Sequence, residues 1–381
     1  MGSLNGCFHV DEPEGFLKGE FMFKNKRFIK IFATTFFTTI AVAALAGGGV
    51  WYAVNNTIRP PELPSIPVAA MQQSPSSVRN TSSRFDTNGL DTDYEPEDAL
   101  LPPSLLQFEE RKPSFFTFLI FGLTEGNHAN TVMVAAYDAI AQQGYIISIP
   151  RDTRVDFQRN RRKIVAAYLV GNLNDGGHEG GAERMKYEVS TLIGFRPDFY
   201  ISIDYDAFIR SIDMVGGVEI DVPFHKMYDD PWQNLHINIP AGQQVLDGRN
   251  ALHFARYRRG NSNSQTITDY QRIKNQQQVL SAVVNELLSP ASLLRVPEFI
   301  SIFNEYVYSD LAMGELAWFA SQARHVGGIE NLHLYTLPMA GTSGAPHWYE
   351  LADEAGILEL VNRTVNPLVR DITSNDVRIV R

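Results

Sequence analysis

Three short apolar runs in the middle of the chain constrain its fold more than any other feature. They begin after Ser114 and read FFTFLIFG, TVMVAAYD and GYIISIP. Uninterrupted apolar runs of this length, separated by tight connections, are typical of strands that are buried on both faces of a sheet. The sequence therefore predicts a sheet that is covered on both sides.

Helical patterns follow these strands, notably GGAERMKYEVSTLIG and YDAFIRSIDMVGG. Gly194 and Gly216 are predicted to end the two helices, because glycine accepts the left-handed conformation that stops a helix. FYISID and VEIDVP add two more strands. Strands that alternate with helices predict a three-layer α/β domain over residues 114–381, with the tail from residue 290 as part of it.

An uncharged apolar stretch precedes this domain at residues 31–54, and its length suits a helix that crosses a bilayer. Four basic residues lie within residues 24–30, whereas Arg59 alone is basic just after the stretch. The positive-inside rule then places residues 1–30 in the cytoplasm and everything after Val54 outside the cell membrane. A cleaved signal peptide is the alternative, since Ala44-Leu45-Ala46 resembles a cleavage site, but the long charged leader favours an uncleaved anchor.

Residues 55–113 are rich in Pro, Ser, Asn and acidic residues, which predicts a disordered extracytoplasmic tether. The acidic residues between 91 and 98 are interpreted as a solvated charge run and not as a metal site. A net charge of -10 argues against broad nucleic-acid binding. The sole cysteine, Cys7, excludes an internal disulfide.

Side chains that can hold a phosphate are densest between Ala251 and Gln278. Alternation from Leu252 to Arg258 predicts a strand with Arg256 and Arg258 on the same face. Two guanidinium groups would then lie side by side, an arrangement that suits bidentate binding of phosphate oxygens.

A helix is predicted to follow, from the capping-box pair Thr268 and Gln271 to about Leu288. Arg272, Asn275 and Gln276 share one face of it, so its polar first turn adds to the anion site. The alternative is that these are surface arginines on an ordinary strand and helix. Taken alone, the stretch indicates an anion site and no more.

Five motifs together resemble the LytR-CpsA-Psr family. In chain order they are GYIISIPRDTRV, KIVAAYLVGN, DYDAFIRSIDMVGGVEIDVP, INIPAGQQVLDGRNALHFARYR and DYQRIKNQQQVLSAVV. The resemblance covers about residues 116–288. It implies a three-layer α/β/α sandwich with a central mixed sheet, after one transmembrane helix. It also implies transfer of a glycopolymer, such as teichoic acid or capsular polysaccharide, from a polyprenyl-pyrophosphate carrier to a hydroxyl of peptidoglycan, with a divalent metal that is usually magnesium.

The same resemblance assigns site residues by position. Asp152 would lie beside the phosphate-binding arginines, either as a catalytic base or, more commonly for a carboxylate so placed, as a group that orients them. Asp269 has a second interpretation as a helix-start residue. The residues that match the family's pyrophosphate-binding positions are Arg151, Arg256, Arg258, Arg272 and Gln276.

The chain departs from the family where metal-binding aspartates are expected. The segment GLTEGNHANT places Thr124 and Asn130 at those positions and leaves Glu125 as the nearest carboxylate. Because magnesium prefers charged oxygen ligands, we expect it to arrive with the substrate pyrophosphate, with Glu125 as the candidate protein ligand. Asn275 also replaces a common arginine, and Val165 replaces an asparagine.

Three functions are consistent with these residues. The first is a glycopolymer phosphotransferase, in which arginines hold the pyrophosphate. The second is a binding module for polyprenyl phosphate or cell-wall glycan that has lost turnover, which the missing aspartates suggest. The third, a transcription regulator, is disfavoured by the predicted outward topology and the acidic balance.

Overall fold

The computed structural model describes part of the chain in detail. By its internal contacts the chain divides into two units, Met1–Arg59 and Pro60–Arg381, and the described residues belong to the second. Among them, no helix combines the length and the apolar character that crossing a bilayer requires. The predicted cytoplasmic segment and membrane anchor, and most of the predicted tether, lie outside the described residues. The residues that the structure describes are 60–63, 66–67, 108–124, 128–155, 163–233, 235–261, 265–289, 296–322, 325, 328–344 and 347–380.

The elements follow one another as strands interspersed with helices. The strands are β1 Ile66–Pro67, β2 Phe108–Glu109, β3 Phe115–Leu123, β4 Ala129–Asp138, β5 Gln143–Ile149, β6 Phe199–Ile203, β7 Val218–Val222, β8 Lys226–Asp230, β9 Leu235–Ile239, β10 Gly242–Leu246, β11 Val307–Ser309, β12 Leu332–Thr336, β13 Met339–Thr342 and β14 Glu350–Ala352. The α-helices are α1 Ala167–Asn174, α2 His178–Ile193, α3 Tyr205–Val215, α4 Gly248–Arg256, α5 Asp269–Leu287, α6 Val296–Tyr306, α7 Met313–Gln322 and α8 Glu354–Thr364.

A six-stranded mixed sheet in the order β11-β6-β3-β4-β5-β12 forms the centre of this unit. The neighbours β3, β4 and β5 are antiparallel, while β6 pairs with β3, and β12 with β5, in parallel. The three apolar runs that the sequence predicted to be buried strands form β3, β4 and β5. The predicted α/β fold with a central mixed sheet is therefore confirmed.

The two faces of the sheet bury different side chains, as the two-residue period of a strand requires. On β3, Leu119 and Phe121 join a core cluster with residues of α1, α2 and α8. Phe118 and Ile120 point the other way and pack in a second cluster with Leu280 of α5. Helices thus contact both faces of the sheet.

Glycines end α2 and α3 at the predicted positions. Gly194 follows α2 with a φ of 79°, and Gly216 follows α3 with a φ of 90°. Both values lie in the left-handed region, where a side chain would be strained. The sequence thus predicted where both helices end.

One predicted element is wrong. Residues 252–258 do not form a strand, because α4 Gly248–Arg256 occupies most of them. The side chain of Asp247 caps this helix by accepting a hydrogen bond from the Asn250 N–H. Ala251, Leu252 and Ala255 are buried at helical spacing, and over so short a run this apolar pattern also fits the alternation of a strand.

The tail packs in the main core, and an ion pair links the residues just before Ser114 to the same unit. Leu337 and Ile357 are fully buried in the same cluster as β3. Arg111 forms an ion pair of 2.8 Å with Asp198. Contacts within this unit therefore extend to both sides of the residue at which the sequence predicted the domain to begin.

Candidate active site

A cavity of about 560 Å³ opens between the sheet, the helices α3, α4 and α5, and the β8–β9 hairpin. Most of its wall is apolar. This wall includes Leu235 and Ile237 of the hairpin, Ile120 of the sheet and Val279 of α5. Further apolar lining comes from Met133, Phe208, Ile212, Leu252, Leu280 and Val283.

Arginines from three regions of the chain line the same cavity. Arg151 follows β5 by two residues, at the end of a central strand. Arg256 is the last residue of α4, and Arg258 lies just beyond it. Arg272 and Gln276 contribute from the first turns of α5. All the side chains that the sequence assigned to pyrophosphate binding thus face one space.

The junction after α4 keeps two of these arginines pointing the same way. Tyr257 between them is buried, and its hydroxyl donates a hydrogen bond of 2.8 Å to the Gln265 carbonyl. The chain is extended at this residue, so Arg256 and Arg258 both reach the cavity while Tyr257 enters the core. The predicted placement of Arg256 and Arg258 on the same side therefore holds, although Arg256 is the last residue of a helix and not part of a strand.

The start of α5 is built as the sequence predicted. Thr268 and Gln271 form the capping box, and Arg272 lies on the buried face. The pKa of the Arg272 guanidinium is lowered, mainly by burial and then by the positive charge of Arg151. Without an anion, the positive charges of Arg151 and Arg258 disfavour the charge of the buried Arg272.

Asp269 is the carboxylate at the centre of this cluster. It lies 3.5 Å from Arg272, 3.6 Å from Arg151 and 3.7 Å from Arg258. These separations exceed the usual length of a charge-assisted hydrogen bond, about 2.7–2.9 Å. The Nε atoms of Arg151 and Arg272 are buried and have no hydrogen-bond partner among the described residues. One carboxylate therefore gathers the arginines without saturating them, and an anion is needed to complete the set.

Asp152 does not line the cavity. It forms an ion pair of 3.0 Å with Lys163, which precedes α1. That pairing suits a residue that holds the Arg151 turn in place. Its assignment as a catalytic residue stays a prediction.

The predicted metal positions are placed in part. Thr124 and Asn130 both line the cavity, and their backbone N–H groups donate to the His128 carbonyl. Glu125 lies outside the described residues. No group of three or more His, Cys, Asp or Glu in the described ranges is arranged to hold a metal ion. A hydroxyl and an amide beside several arginines do not on their own fit a magnesium site.

The sequence interpretation missed three groups beside the arginines. Tyr205 stacks on Arg256, with the guanidinium carbon 4.4 Å from the ring centre. Lys163 pairs with Asp152, and Glu350 of β14 lies beside the Arg151 turn. Lys163 and Tyr205 lie within two of the five family motifs, KIVAAYLVGN and DYDAFIRSIDMVGGVEIDVP, so their positions in the sequence could have indicated that they belong to the site. Glu350 lies far along the chain and outside these motifs, so nothing in the sequence indicated that it lies near the arginines.

An apolar cavity with a cluster of arginines in its wall has the chemistry that suits an amphiphilic anion, with a phosphate at one end and an apolar chain at the other. The comparison with known proteins makes this class more specific. The model described as the LytR_cpsA_psr family matches residues 86–364, and the chain belongs to that family.

Individual relatives are distant. The chain is 27% identical over 270 residues to the polyisoprenyl-teichoic acid–peptidoglycan teichoic acid transferase TagV of Bacillus subtilis, a match that covers 67% of this chain and 64% of TagV. It is 26% identical to the regulatory protein MsrR of Staphylococcus aureus (strain COL), over 49% of this chain and 52% of MsrR. The chain thus spans less than two thirds of the length of these relatives. The crystal structure of B. subtilis TagV matches with a TM-score of 0.54 at 21% identity, over 66% of this chain and 96% of the TagV structure, and so supports the fold.

Proposed function

We propose that this protein transfers a glycopolymer from a polyprenyl-pyrophosphate carrier to a hydroxyl of peptidoglycan. The observation that supports it best is the single cavity with apolar walls and an arginine cluster. A polyprenyl chain would occupy the apolar part, and its pyrophosphate would meet Arg151, Arg256, Arg258 and Arg272. The name of the relative TagV describes a transfer of this kind, from a polyisoprenyl-linked teichoic acid to peptidoglycan.

The side chains support this reaction mainly by positioning and by neutralising charge. The acceptor hydroxyl attacks the phosphorus that carries the glycopolymer, and polyprenyl phosphate leaves with the bridging oxygen. Negative charge on the phosphate oxygens then faces guanidinium groups that are already fixed in place. Such preorganised groups supply most of the catalysis in phosphoryl transfer.

Magnesium enters this proposal as an ion that arrives with the substrate. Thr124 and Asn130 offer only neutral oxygens, so beyond the candidate ligand Glu125 the pyrophosphate must supply the negative charge that the ion requires. A bound magnesium would add charge neutralisation at the phosphates. No step assigned above to the protein's own side chains depends on it.

The alternative is a binding module without turnover. Thr124 and Asn130 favour it, because they stand where the family resemblance places carboxylates. Such a module would bind a polyprenyl-pyrophosphate donor through the same arginines and would release no polyprenyl phosphate. Release of polyprenyl phosphate therefore distinguishes a transferase from a binding module.

The test uses the full chain in detergent, a defined polyprenyl-pyrophosphate-linked glycan and a peptidoglycan acceptor. We expect donor binding, acceptor-dependent release of polyprenyl phosphate, and a large loss of affinity in Arg256→Ala. Arg249→Ala is the matched control, since Arg249 is an exposed residue at the start of the same helix and does not line the cavity. Binding without release would favour the alternative, and no binding by the wild type would refute both functions.

The proposed location is the cell membrane, with one spanning helix at residues 31–54 and residues 114–381 outside. Cys7 provides the test because it is the sole cysteine. A thiol reagent that cannot cross membranes should fail to label intact cells and should label them after permeabilisation. Labelling of intact cells would contradict this topology.

A further inference from the structure

Arg256 is held differently from the other three arginines that line the cavity. Those three share the carboxylate of Asp269 at 3.5–3.7 Å. Arg256 forms no ion pair within the part of the chain that the structure describes. Its guanidinium carbon instead lies 4.4 Å from the ring centre of Tyr205, a separation at which the face of an aromatic ring attracts a cation. Such a ring holds a guanidinium without bringing a negative charge beside it.

Two helices of matched length bring the ring and the guanidinium together. Tyr205 is the first residue of α3, and Arg256 is the last residue of α4. At the other end of this helix pair, the Asp213 side chain of α3 accepts a hydrogen bond of 2.7 Å from the N–H of Gly248, the first residue of α4. Eight residues, about 12 Å of helix, separate the two contacts on each helix. The helices are therefore antiparallel and are joined at both ends.

Further contacts fix the pair of helices and the start of α3. A Cβ at Gly248 would collide with the carbonyl oxygen of Ile209, so α3 and α4 approach closely at this glycine. The Asp204 side chain caps α3 by accepting a hydrogen bond of 2.8 Å from the Ala207 N–H. Tyr205, the residue that follows this cap, is thus held on a helix and not on a loop.

Tyr205 and Arg256 both line the cavity, together with apolar residues of the same two helices. Phe208 follows Tyr205 by three residues on α3, and Leu252 precedes Arg256 by four residues on α4, and both line the same cavity. A free arginine side chain would have to be ordered when an anion binds, which typically weakens affinity about 2- to 12-fold. An arginine that is already stacked on a ring does not carry this cost.

We infer that Tyr205 is a positioning residue for donor binding, which holds Arg256 in the cavity wall by stacking and leaves its positive charge available for the pyrophosphate. The inference rests on the donor-binding part of the proposed function, which the transferase and the binding module share. It gives Tyr205 no part in the chemical step. It also divides the arginines into three that are gathered by a carboxylate and one that is held by an aromatic ring.

The variants that test this separate the ring from the hydroxyl. Tyr205→Leu and Tyr205→Met both remove the ring and keep an apolar side chain, and Tyr205→Phe keeps the ring. The matched control is Tyr306→Leu. Arg210, also on α3, lies 4.4 Å from the ring centre of Tyr306, and neither of these residues lines the cavity. This control therefore removes a contact of the same kind and length away from the proposed site.

Titration calorimetry with a defined polyprenyl-pyrophosphate-linked glycan measures donor affinity on the full chain in detergent, and thermal unfolding shows that each variant is folded. Tyr205→Leu and Tyr205→Met should weaken donor binding about 2- to 12-fold, whereas Tyr205→Phe and Tyr306→Leu should leave it unchanged. In the Arg256→Ala background, Tyr205→Leu should cause no further loss, because the side chain that the ring positions is gone.

Each outcome supports or overturns the inference. Unchanged affinity in both Tyr205→Leu and Tyr205→Met would refute it, and an equal loss in Tyr205→Phe would show that the hydroxyl and not the ring matters. A loss that persists in the Arg256→Ala background would show that Tyr205 contacts the donor itself, which also refutes the positioning role. If the wild type binds donor and releases no polyprenyl phosphate, the transferase function fails and the assignment of Tyr205 is still decided by these affinities. If the wild type binds no donor, both fail.

Discussion

Arg272 offers the most demanding test of the arginine cluster, because its substitution should move stability and affinity in opposite directions. Only 9% of its side chain is exposed, and its pKa is lowered by burial and by Arg151. Arg272→Met keeps the length of the side chain and removes the charge. Asp269 still has Arg151 and Arg258 within 3.7 Å after the change, so no carboxylate is left unpaired.

The structure gives the sign and the approximate size of both effects. A hydrogen bond to a charged group contributes about 1.5–3 kcal/mol, so loss of the Arg272 contact should weaken donor binding about 10- to 150-fold. Replacing a buried charge by an apolar side chain of similar volume is often stabilising. We therefore expect the free energy of unfolding of the protein without donor to rise by about 1 kcal/mol.

Titration calorimetry with the polyprenyl-pyrophosphate donor measures the first effect, and thermal unfolding without donor measures the second. Arg249→Met is the matched control, since Arg249 is exposed and lies outside the cavity. It should change neither quantity appreciably. Unchanged donor affinity in Arg272→Met, or a loss of several kcal/mol in stability, would show that Arg272 is a structural residue and would refute the anion-site reasoning.

Two further predictions concern charge. The protein without donor should show no appreciable magnesium binding in titration calorimetry, whereas Thr124→Asp combined with Asn130→Asp should strengthen metal-dependent donor binding or turnover; tight binding by the wild type would contradict this. Lys226 is buried with its Nζ 4.1–4.9 Å from the ring centres of Phe224, Phe254 and Tyr257. Burial lowers the pKa of Lys226 from 10.5 to about 8. The unfolded chain then holds this proton more tightly, so stability should rise between about pH 8 and 10.5 by at most about 3 kcal/mol, and Lys226→Met should abolish the rise in denaturant titrations.

Local signals in the sequence predicted elements where the deciding interaction is itself local. The capping box of Thr268 and Gln271 spans one helical turn and fixes the start of α5. Gly194 and Gly216 end their helices because of their own backbone freedom. In each case the residues that decide the structure are neighbours in the chain. Tertiary packing was not needed to identify them.

The strand prediction for residues 252–258 failed because a short apolar run fits both periods. Ala251, Leu252, Phe254 and Ala255 are all buried, and a helix and a strand would each bury some of them. The deciding residue was Asp247, whose side chain caps α4. It lies five residues before Leu252 and has capping chemistry of its own. Asp247 lies within the motif INIPAGQQVLDGRNALHFARYR, so the sequence itself carries the signal for a helix start at this residue.

The arrangement of carboxylates could not be predicted from the sequence. Asp152, Asp269 and Glu350 come from three separate regions of the chain. Asp269 pairs with Arg151, the neighbour of Asp152, and Glu350 reaches the same turn through its bridge to Thr153. Sequence spacing carries no information about such a meeting. Which cations lie beside Asp152 and Asp269 depends on where Lys163 and the arginines lie in space.

The geometry of the cluster also indicates which anion suits it. The distances from Asp269 to three guanidinium groups, 3.5–3.7 Å, are too long for saturated charge-assisted hydrogen bonds. Arg151 and Arg272 each keep a buried Nε without a hydrogen-bond partner among the described residues. A single monovalent anion would neutralise only part of the remaining positive charge, whereas a pyrophosphate presents several oxygens and more than one negative charge to donors from different sides. The repulsion that the protein carries without ligand is therefore relieved most by a polyvalent phosphate, and this relief favours pyrophosphate over other small anions at this end of the cavity.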